Sequence, residues 1–162
     1  MDNYLNILII SLLCGVLLYL SARIVHFRKS EAKISKKIKR LSEAEKEISV
    51  TEFLTLRKEK QHGNKLYASE HDFAGIYLLH NKTKDMYYVG QGRRVMSRVN
   101  NHFTGKGNGD VYADYKYNDE FTIRFLSLEN SGLDNLNDLE RYAIKAFNAC
   151  ENGYNKNQGN KS

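Results

Sequence analysis

The feature that most constrains this chain is an uncharged, largely apolar run of 20 residues near its start, at positions 3–22. As an α-helix such a run would be about 30 Å long, which matches the hydrocarbon core of a bilayer. Tyr4 and Tyr19 lie near its two ends, where aromatic side chains favour the membrane interface. We therefore predict a transmembrane anchor over residues 1–22, in which residues 3–22 contact the lipid bilayer.

The charges on the two sides of this run are unequal. Asp2 precedes it, whereas lysines and arginines are concentrated in residues 23–40. Because cytoplasmic flanks of transmembrane helices are enriched in Lys and Arg, this asymmetry predicts a single-pass membrane protein with its N-terminus outside and the rest in the cytoplasm. A cleaved signal peptide, which would begin with basic residues, and a buried core helix, which is rarely apolar all round, are the weaker alternatives.

Residues 23–65 are predicted to form a basic helical linker. Residues 21–66 carry 13 Lys and Arg against 6 Asp and Glu, whereas residues 67–162 carry 12 of each. Apolar side chains in the linker recur at helical spacing; they are Ile34, Ile38, Leu41, Ala44 and Ile48. The predicted helix runs to about residue 60, and the residues that follow are typical of a helix end: Gln61, His62, Gly63 and Asn64.

Two partner hypotheses follow from this linker. The basic cluster at residues 23–40 is placed to contact anionic lipid headgroups. Binding to nucleic-acid phosphates and a merely solvated helix face are the alternatives for the same cluster. The apolar stripe at residues 34–48 would suit a coiled-coil seam, so self-association through this stripe is the second hypothesis.

From about residue 66 the pattern changes to short strands and helices, and we place a separate domain at residues 66–162. Apolar runs at 73–79 and 86–90 flank a polar link and predict a β-hairpin. A turn that is symmetric about Lys82 and Thr83 would set Tyr77 opposite Tyr88. Further predicted elements are a helix at 93–103, a mobile loop with one helical turn at 104–118, and a third strand at 121–128.

The last predicted helix begins at Ser131 or Asp134 and ends near Asn148. Glu140 falls beside its apolar stripe, and a carboxylate there is costly unless it is paired or binds a metal ion. Spacing alone leaves two interpretations open: a structural salt bridge, to Arg98 or another arginine, and a metal site.

Five sequence elements, in order along the chain, resemble the GIY-YIG nucleases. Gly75-Ile76-Tyr77 and Tyr88-Val89-Gly90 match the two motifs that name the family, with valine in place of isoleucine. The other matching elements are Arg98 with His102 four residues later, Glu140 in a Leu-Glu-Arg-Tyr-Ala-Ile helix, and Gly153-Tyr154-Asn155. The resemblance covers about residues 72–157 and does not extend to residues 1–65.

The resemblance implies an α/β fold: a small domain with a three-stranded antiparallel sheet flanked by helices, preceded here by the transmembrane helix and the helical spacer. It also implies metal-dependent hydrolysis of DNA phosphodiester bonds. Glu140 would hold one divalent ion, Mg²⁺ or Mn²⁺, because oxygen ligands suit such ions.

The resemblance assigns catalytic roles to six residues. Tyr77 would take the proton from the attacking water, which requires nearby cations because the ordinary pKa of tyrosine is about 10. Tyr88 would position the water or the phosphate, and Arg98 would clamp the phosphate as charge develops. His102 would relay a proton or hold the tyrosine, Glu140 would bind the metal, and Asn155 would brace the site.

Three further residues are candidate DNA contacts: Tyr87, Arg93 and Arg94. The two arginines begin a predicted helix, whose backbone N–H groups also attract phosphate.

Anchor, linker and resemblance together predict a membrane-anchored DNA endonuclease at the cytoplasmic face, with incoming foreign DNA as its hypothetical substrate. The alternative is a catalytically silent, membrane-tethered DNA-binding module. Residues 67–162 have no net charge, so they supply no broad positive charge of the kind expected for tight nonspecific DNA binding.

Overall fold

A computed structural model describes residues 2–60 and 64–159 of the chain. The chain divides into two compact units, of which one extends to Ile34 and the other begins at Ser35. Gln61, His62 and Gly63, three of the four residues expected to end the linker helix, lie outside the described residues.

Helix α1 (Asp2–Ala44) contains the predicted anchor. The part from Asn6 onward includes a window with a mean hydropathy of 2.3, and none of that window is buried in protein. By length and composition this helix can cross a membrane, and its exposed apolar side chains do not fit the alternative of a buried core helix.

The expectation of one helix to about residue 60 is wrong, because α1 ends at Ala44. Strand β1 (Ile48–Ser49) and helix α2 (Val50–Leu56) follow it. Burial explains the break: Ile48, Val50 and Phe53 all join the hydrophobic core of the second unit, which a straight continuation of α1 would not permit.

The apolar stripe at residues 34–48 also differs from the expected coiled-coil seam. Ile38 is fully buried and Ile48 is 8% exposed within the chain itself. Near Ile38, the Lys39 ammonium lies 5.8 Å from the centre of the Phe147 ring at the end of the domain's last helix. These positions are therefore covered by the chain's own domain and offer no continuous apolar seam to a second copy.

Among the residues that the structure describes, the sheet has four antiparallel strands, where three were expected. Strands β2 (Gly75–Asn81), β3 (Met86–Gly92) and β4 (Phe121–Ser127) are the predicted ones, and the strand order is β1-β4-β2-β3. The additional strand is β1, which pairs Ile48 with Ile123 and Ser49 with Thr122. β2 lies in the centre and β3 forms one edge.

The hairpin register is shifted by two residues from the expected one. Tyr77 lies opposite Gly90, and Tyr88 lies opposite Leu79. The turn sets this register, because the Asn81 side chain accepts the backbone N–H groups of Thr83 and Lys84 at 3.0 and 3.1 Å, and Asp85 adopts a left-handed φ of 52°. A two-residue shift keeps both tyrosines on the same face of the sheet.

The helices after α2 are α3 (Tyr67–Glu70), α4 (Val95–Phe103), α5 (Gly109–Lys116), α6 (Leu128–Ser131) and α7 (Leu136–Ala146). The expected loop at 104–118 instead contains α5, whose first turn is capped by the Asn108 side chain.

Helices cover both faces of the sheet. On one face, Tyr77 and Leu79 pack with the apolar residues of α4 and α5. On the other, α7 packs against β2 and β3 and buries Leu139, Ala143 and Ile144.

Ile38→Ala tests whether the end of α1 is part of the folded domain. Because Ile38 is fully buried, we expect a loss of about 2–4 kcal/mol of unfolding free energy. Urea unfolding of the full chain in detergent micelles, followed by circular dichroism, measures it. The exposed neighbour Lys36→Ala is the matched control and should stay within about 0.5 kcal/mol of the wild type. Equal, small effects of both changes would contradict the packing of α1 on the domain.

Candidate active site

The candidate catalytic residues meet at the edge of the sheet formed by β3. β2 contributes Tyr77 and β3 contributes Tyr88, while α4 contributes Arg98 and His102. Glu140 comes from α7 on the other face and faces the end of β3. An open groove of about 860 Å³ lies here, and Arg98 and Glu140 both line it.

Tyr77, Tyr88 and His102 form a compact aromatic cluster. The Tyr77 hydroxyl and His102 Nε2 are 2.9 Å apart, and both residues are buried. The Tyr88 ring centre lies 4.7 Å from that of His102 and 6.1 Å from that of Tyr77. The shifted hairpin register thus still brings the two tyrosines together.

Gly90 makes room for this cluster. A Cβ atom at Gly90 would overlap the phenol of Tyr77, which crosses the backbone of β3 at that point. Glycine at the end of the second motif is therefore required by the close approach of a neighbouring side chain.

The hydrogen bonds of His102 determine which of its nitrogens carries the proton. The backbone N–H of Asn108 donates to Nδ1 over 3.0 Å, so Nδ1 is an acceptor. A neutral imidazole then carries its hydrogen on Nε2, and Nε2–H donates to the Tyr77 hydroxyl. His102 in this form holds Tyr77 in place and cannot accept the tyrosine's proton, which favours the holding role over the relay role.

Burial dominates the electrostatics of this cluster. Burial, reinforced by Tyr88, raises the pKa of Tyr77 above its ordinary value, and a hydrogen bond and charge from Arg98 only partly oppose this. Burial likewise raises the pKa of Tyr88. Burial, together with repulsion from Arg98, lowers the pKa of His102 to about 4. The phenolate expected for Tyr77 is therefore not favoured by the protein alone.

Arg98 links the aromatic cluster to the groove. Its aliphatic stem passes over Gly92, where an added Cβ would lie 2.8 Å from Arg98 Cδ. Its interaction with Tyr77 raises the pKa of the guanidinium further, so the side chain stays charged. Arg98 is an exposed residue and lines the groove, where its guanidinium can contact a bound phosphate.

Glu140 is held by a polar partner on β3. The Gln91 amide donates to Glu140 Oε2 over 3.1 Å and to Asn137 Oδ1 over 2.7 Å. Burial raises the pKa of the Glu140 carboxyl, while hydrogen bonding from Gln91 and the charge of Arg98 act in the opposite direction. Within residues 2–60 and 64–159 no ion pair joins Glu140 to an arginine, so the structural salt bridge considered from the sequence is not observed.

Few side chains here could hold a metal ion. Among the residues that the structure describes, no three His, Cys, Asp or Glu side chains cluster closely enough to do so. Mg²⁺ does not require such a cluster, since it keeps several waters and binds through one or two carboxylates plus substrate phosphates. The half-buried Glu140 carboxylate beside an open groove fits an ion of this kind.

Asn155 braces β3 from the C-terminal segment. Its side-chain amide accepts from the backbone N–H of Val89 over 2.8 Å and donates to the carbonyl of Val89 over 2.7 Å. The adjacent Tyr154 hydroxyl donates to Asp114 over 2.6 Å and accepts from Asn81 over 2.7 Å. The Asn155 contacts thus fix β3 at Val89, between Tyr88 and Gly90. The Tyr154 contacts join the C-terminal segment to β2 and α5.

The three candidate DNA contacts occupy different surroundings. Arg93 is exposed and lines the groove. Arg94 lies 3.6 Å from the carboxylate of Asp72. Tyr87 stacks on His80 with ring centres 4.1 Å apart, on the opposite face of β3 from Tyr88. The structure therefore places only Arg93 with the catalytic candidates.

The start of α4 was expected to attract a phosphate through its backbone N–H groups, but a carboxylate of the chain already bonds to them. The Asp72 carboxylate accepts the backbone N–H groups of Met96 and Ser97 at 2.8 and 3.4 Å, and the Ser97 hydroxyl at 3.0 Å. Asp72 thus satisfies the N–H groups that would attract an anion, and it fixes the helix that carries Arg98 and His102.

Sequence reasoning missed three supporting residues: Asp72, Gln91 and Asn108. Gln91 could have been identified from the sequence, because it directly follows the second motif and the alternation of side chains along β3 turns it toward α7. Asp72 and Asn108 act across gaps of 24 and 6 residues, and no local spacing pattern indicates such contacts.

Residues 73–155 match the GIY-YIG catalytic domain. The matched segment contains all six candidate catalytic residues and covers about half of the 162-residue chain. Comparison with curated proteins and with solved structures finds no match.

The buried His102 should make stability depend on pH. Its pKa of about 4 in the folded chain is below the ordinary value of about 6.5, so the unfolded chain binds the proton first as pH falls. We expect stability that is complete above pH ~6.5 and falls by on the order of 3 kcal/mol as the pH approaches ~4.

Urea unfolding of the full chain at a series of pH values measures this loss. His102→Gln should flatten the dependence, whereas His71→Gln, on an exposed turn, serves as the histidine control. Identical slopes for the wild type and His102→Gln would contradict a neutral His102.

Proposed function

The chain belongs to the GIY-YIG nuclease family, and from that premise we propose that it is a membrane-anchored, divalent-metal-dependent DNA endonuclease. One observation supports this most directly: Arg98 and Glu140, from two separate helices, line a single groove, and Arg98 interacts with Tyr77 of the buried Tyr77–His102 pair. A metal-binding carboxylate, a phosphate-binding guanidinium and a buried phenol are the groups that phosphodiester hydrolysis requires.

In the proposed reaction, Tyr77 loses its own proton to solvent when the substrate binds and then, as the phenolate, takes the proton of the attacking water. Its phenolate would be stabilised by two donors, His102 Nε2–H and the Arg98 guanidinium. Tyr88, beside them, positions the water or the phosphate. Since burial raises the pKa of Tyr77, deprotonation has to be coupled to substrate binding, when Arg98 and the phosphate are brought into the same groove.

Glu140 and Gln91 prepare the other side of the groove. Glu140 would hold one divalent ion, Mg²⁺ or Mn²⁺, which when bound neutralises the scissile phosphate and the leaving oxygen. Gln91 fixes the carboxylate through its 3.1 Å hydrogen bond. Arg98 and Arg93 supply the positive charge that orients the phosphate from within the groove.

The apolar part of α1 is proposed to anchor the enzyme in the membrane with its N-terminus outside and the nuclease domain in the cytoplasm. Basic residues at positions 23–40, on the cytoplasmic flank, support this orientation and would contact anionic headgroups. Such an anchor raises the effective concentration of the domain near DNA at the membrane. Incoming foreign DNA is the substrate that this location suits.

The second candidate is a catalytically silent, membrane-tethered DNA-binding module. It is favoured by one observation, namely that burial holds the Tyr77 phenol in its neutral form. The two candidates differ in whether DNA is cut, so a cleavage assay separates them.

Glu140→Gln is the direct test of the proposed activity. The change keeps the size of the side chain and one oxygen that can accept from Gln91, but it removes the charge that holds a divalent ion. We expect cleavage of plasmid DNA by the full chain in Mg²⁺, loss of cleavage in EDTA, and a loss of at least about a hundredfold in Glu140→Gln.

Circular dichroism of wild type and variant controls for folding in this assay. The exposed Glu129→Gln, which removes an equal charge on the neighbouring α6, is the matched control. DNA binding without any metal-dependent cutting would support the silent module instead.

Gln91→Ala tests the support of the Glu140 carboxylate. Loss of an outer partner of a metal ligand typically costs 10–100-fold in metal affinity or activity, so we expect the Mg²⁺ concentration for half-maximal cutting to rise by about tenfold or more. A change in the metal requirement is not expected from a purely structural defect. Gln158→Ala, in the exposed C-terminal segment, is the control. An unchanged Mg²⁺ requirement in Gln91→Ala would contradict the role of Gln91 in holding the Glu140 carboxylate.

A further inference from the structure

A second cavity, of about 340 Å³, lies between α2, α3, β4 and the start of α4. None of the six candidate catalytic residues lines it. Four aromatic rings contribute to its wall: Phe53, Tyr67, Phe73 and Phe125. Its polar wall consists of Glu45, Lys46, Arg57, Ser127 and Asn130. An aromatic wall combined with a few polar groups is typical of a ligand site.

The side chain of Arg57 indicates that a ligand binds in this cavity. Its Nε is buried and has no hydrogen-bond partner among the described residues. Within residues 2–60 and 64–159, no carboxylate forms an ion pair with its guanidinium. Arg124 also has an unpaired buried Nε, but its guanidinium pairs with Glu47 at 3.0 Å. A buried donor of a permanent charge is costly to leave unpaired, so Arg57 Nε lacks an acceptor that a bound molecule would provide.

The chemistry of the wall specifies that molecule. Aromatic rings stack on flat π-systems, and an arginine beside them donates to carbonyl oxygens or ring nitrogens. A nucleobase has both features, and guanine presents two adjacent acceptors that suit the guanidinium fork.

The cavity also adjoins the groove of the candidate active site. Phe73 and Ser127 line the cavity, while the next residues, Ala74 and Leu128, line the groove. Ala74 and Leu128 are joined by a backbone hydrogen bond of 2.9 Å. One pair of hydrogen-bonded chain segments therefore separates the two spaces, and a DNA strand with a phosphate in the groove can place a nearby base in the cavity.

We propose that this cavity binds an unpaired nucleobase of the DNA strand whose phosphate lies in the groove, with Arg57 as its hydrogen-bond donor. The proposal rests on the proposed function and adds a substrate preference to it: DNA with a bulged, flipped or single-stranded nucleotide beside the cleavage site. An unpaired base enters such a cavity without the cost of breaking a base pair, and base–aromatic stacking contributes about 1–3 kcal/mol.

The experiment compares two DNA duplexes that differ only in the presence of one base. The first has a single bulged 2-aminopurine nucleotide, and the second has an abasic residue at the same bulge. The full chain, in phosphatidylcholine nanodiscs and with EDTA to prevent cutting, is titrated with each duplex. The chain contains no tryptophan, so the fluorescence of 2-aminopurine can be followed directly.

We expect the wild type to bind the 2-aminopurine duplex about tenfold more tightly than the abasic one, within the range of stacking energies. Arg57→Leu removes one hydrogen bond to the base, so it should reduce this difference by about threefold or more and leave the affinity for the abasic duplex unchanged. Lys58→Leu is the matched control, because Lys58 is exposed, adjacent and outside the cavity. It should lower the affinity for both duplexes equally or not at all.

A second variant keeps the proposal testable if Arg57→Leu fails to fold. Asn130 is an exposed residue that lines the cavity, and Asn130→Phe should obstruct it without disturbing the core. This variant is expected to abolish the preference for the 2-aminopurine duplex.

Three outcomes would overturn the proposal: equal wild-type affinity for both duplexes, no binding of either, or equal weakening of both by Arg57→Leu. Oleate that stabilises the wild type but not Arg57→Leu, without any base preference, would show a fatty-acid site and would also overturn it. The nuclease proposal is judged separately by Mg²⁺-dependent cutting and Glu140→Gln. Cutting without base preference overturns only the nucleobase site, and base preference without cutting overturns only the nuclease.

Discussion

Strand β2 is the constraint on which the rest of the domain depends, because it forms hydrogen bonds along both of its edges. Its pairing with β3 sets Tyr77 against Gly90 and brings Tyr88 to the same face. Its pairing with β4 places the segments before β2 and after β4 side by side, where they form part of both the groove and the adjoining cavity. α4 joins this arrangement through the Tyr77–His102 hydrogen bond, and α7 joins it through Gln91 at the end of β3.

Two opposing electrostatic effects meet at Tyr77. Burial within the aromatic cluster favours the neutral phenol, and the Arg98 charge favours the phenolate. A buried neutral histidine adds a donor without adding charge, because its Nδ1 is already occupied by the Asn108 N–H. The protein thus provides a preorganised hydrogen-bonding environment around the buried phenol, while the charges of Arg93 and Arg98 line the groove, where a phosphate would bind.

The sequence predicted the parts of this fold that local pattern determines. The strands β2, β3 and β4 and the helices carrying Arg98 and Glu140 follow from local pattern, and the resemblance to the GIY-YIG nucleases implied that Tyr77, Tyr88, Arg98, His102 and Glu140 would lie together. β1 has only two residues, so it has no periodicity of its own and depends on pairing with β4. The end of α1 at Ala44 depends on tertiary burial of Ile48, and the hairpin register depends on the Asn81 turn. The support given by Asp72 and Gln91 likewise depends on contacts between elements distant in sequence.

The contacts of Tyr154 and Asn155 have a consequence for how the chain is made. Both residues bond to the β2–β3 hairpin, more than sixty positions earlier in the sequence, so the hairpin cannot acquire its final partners until they have left the ribosome. By that time the apolar part of α1 has long been synthesised and is available for insertion. Because contacts of such long range form late, a partly synthesised chain with the proposed anchor would be held at the membrane before its domain is folded. For such an anchored chain, the order of synthesis would separate localisation from the completion of the candidate site.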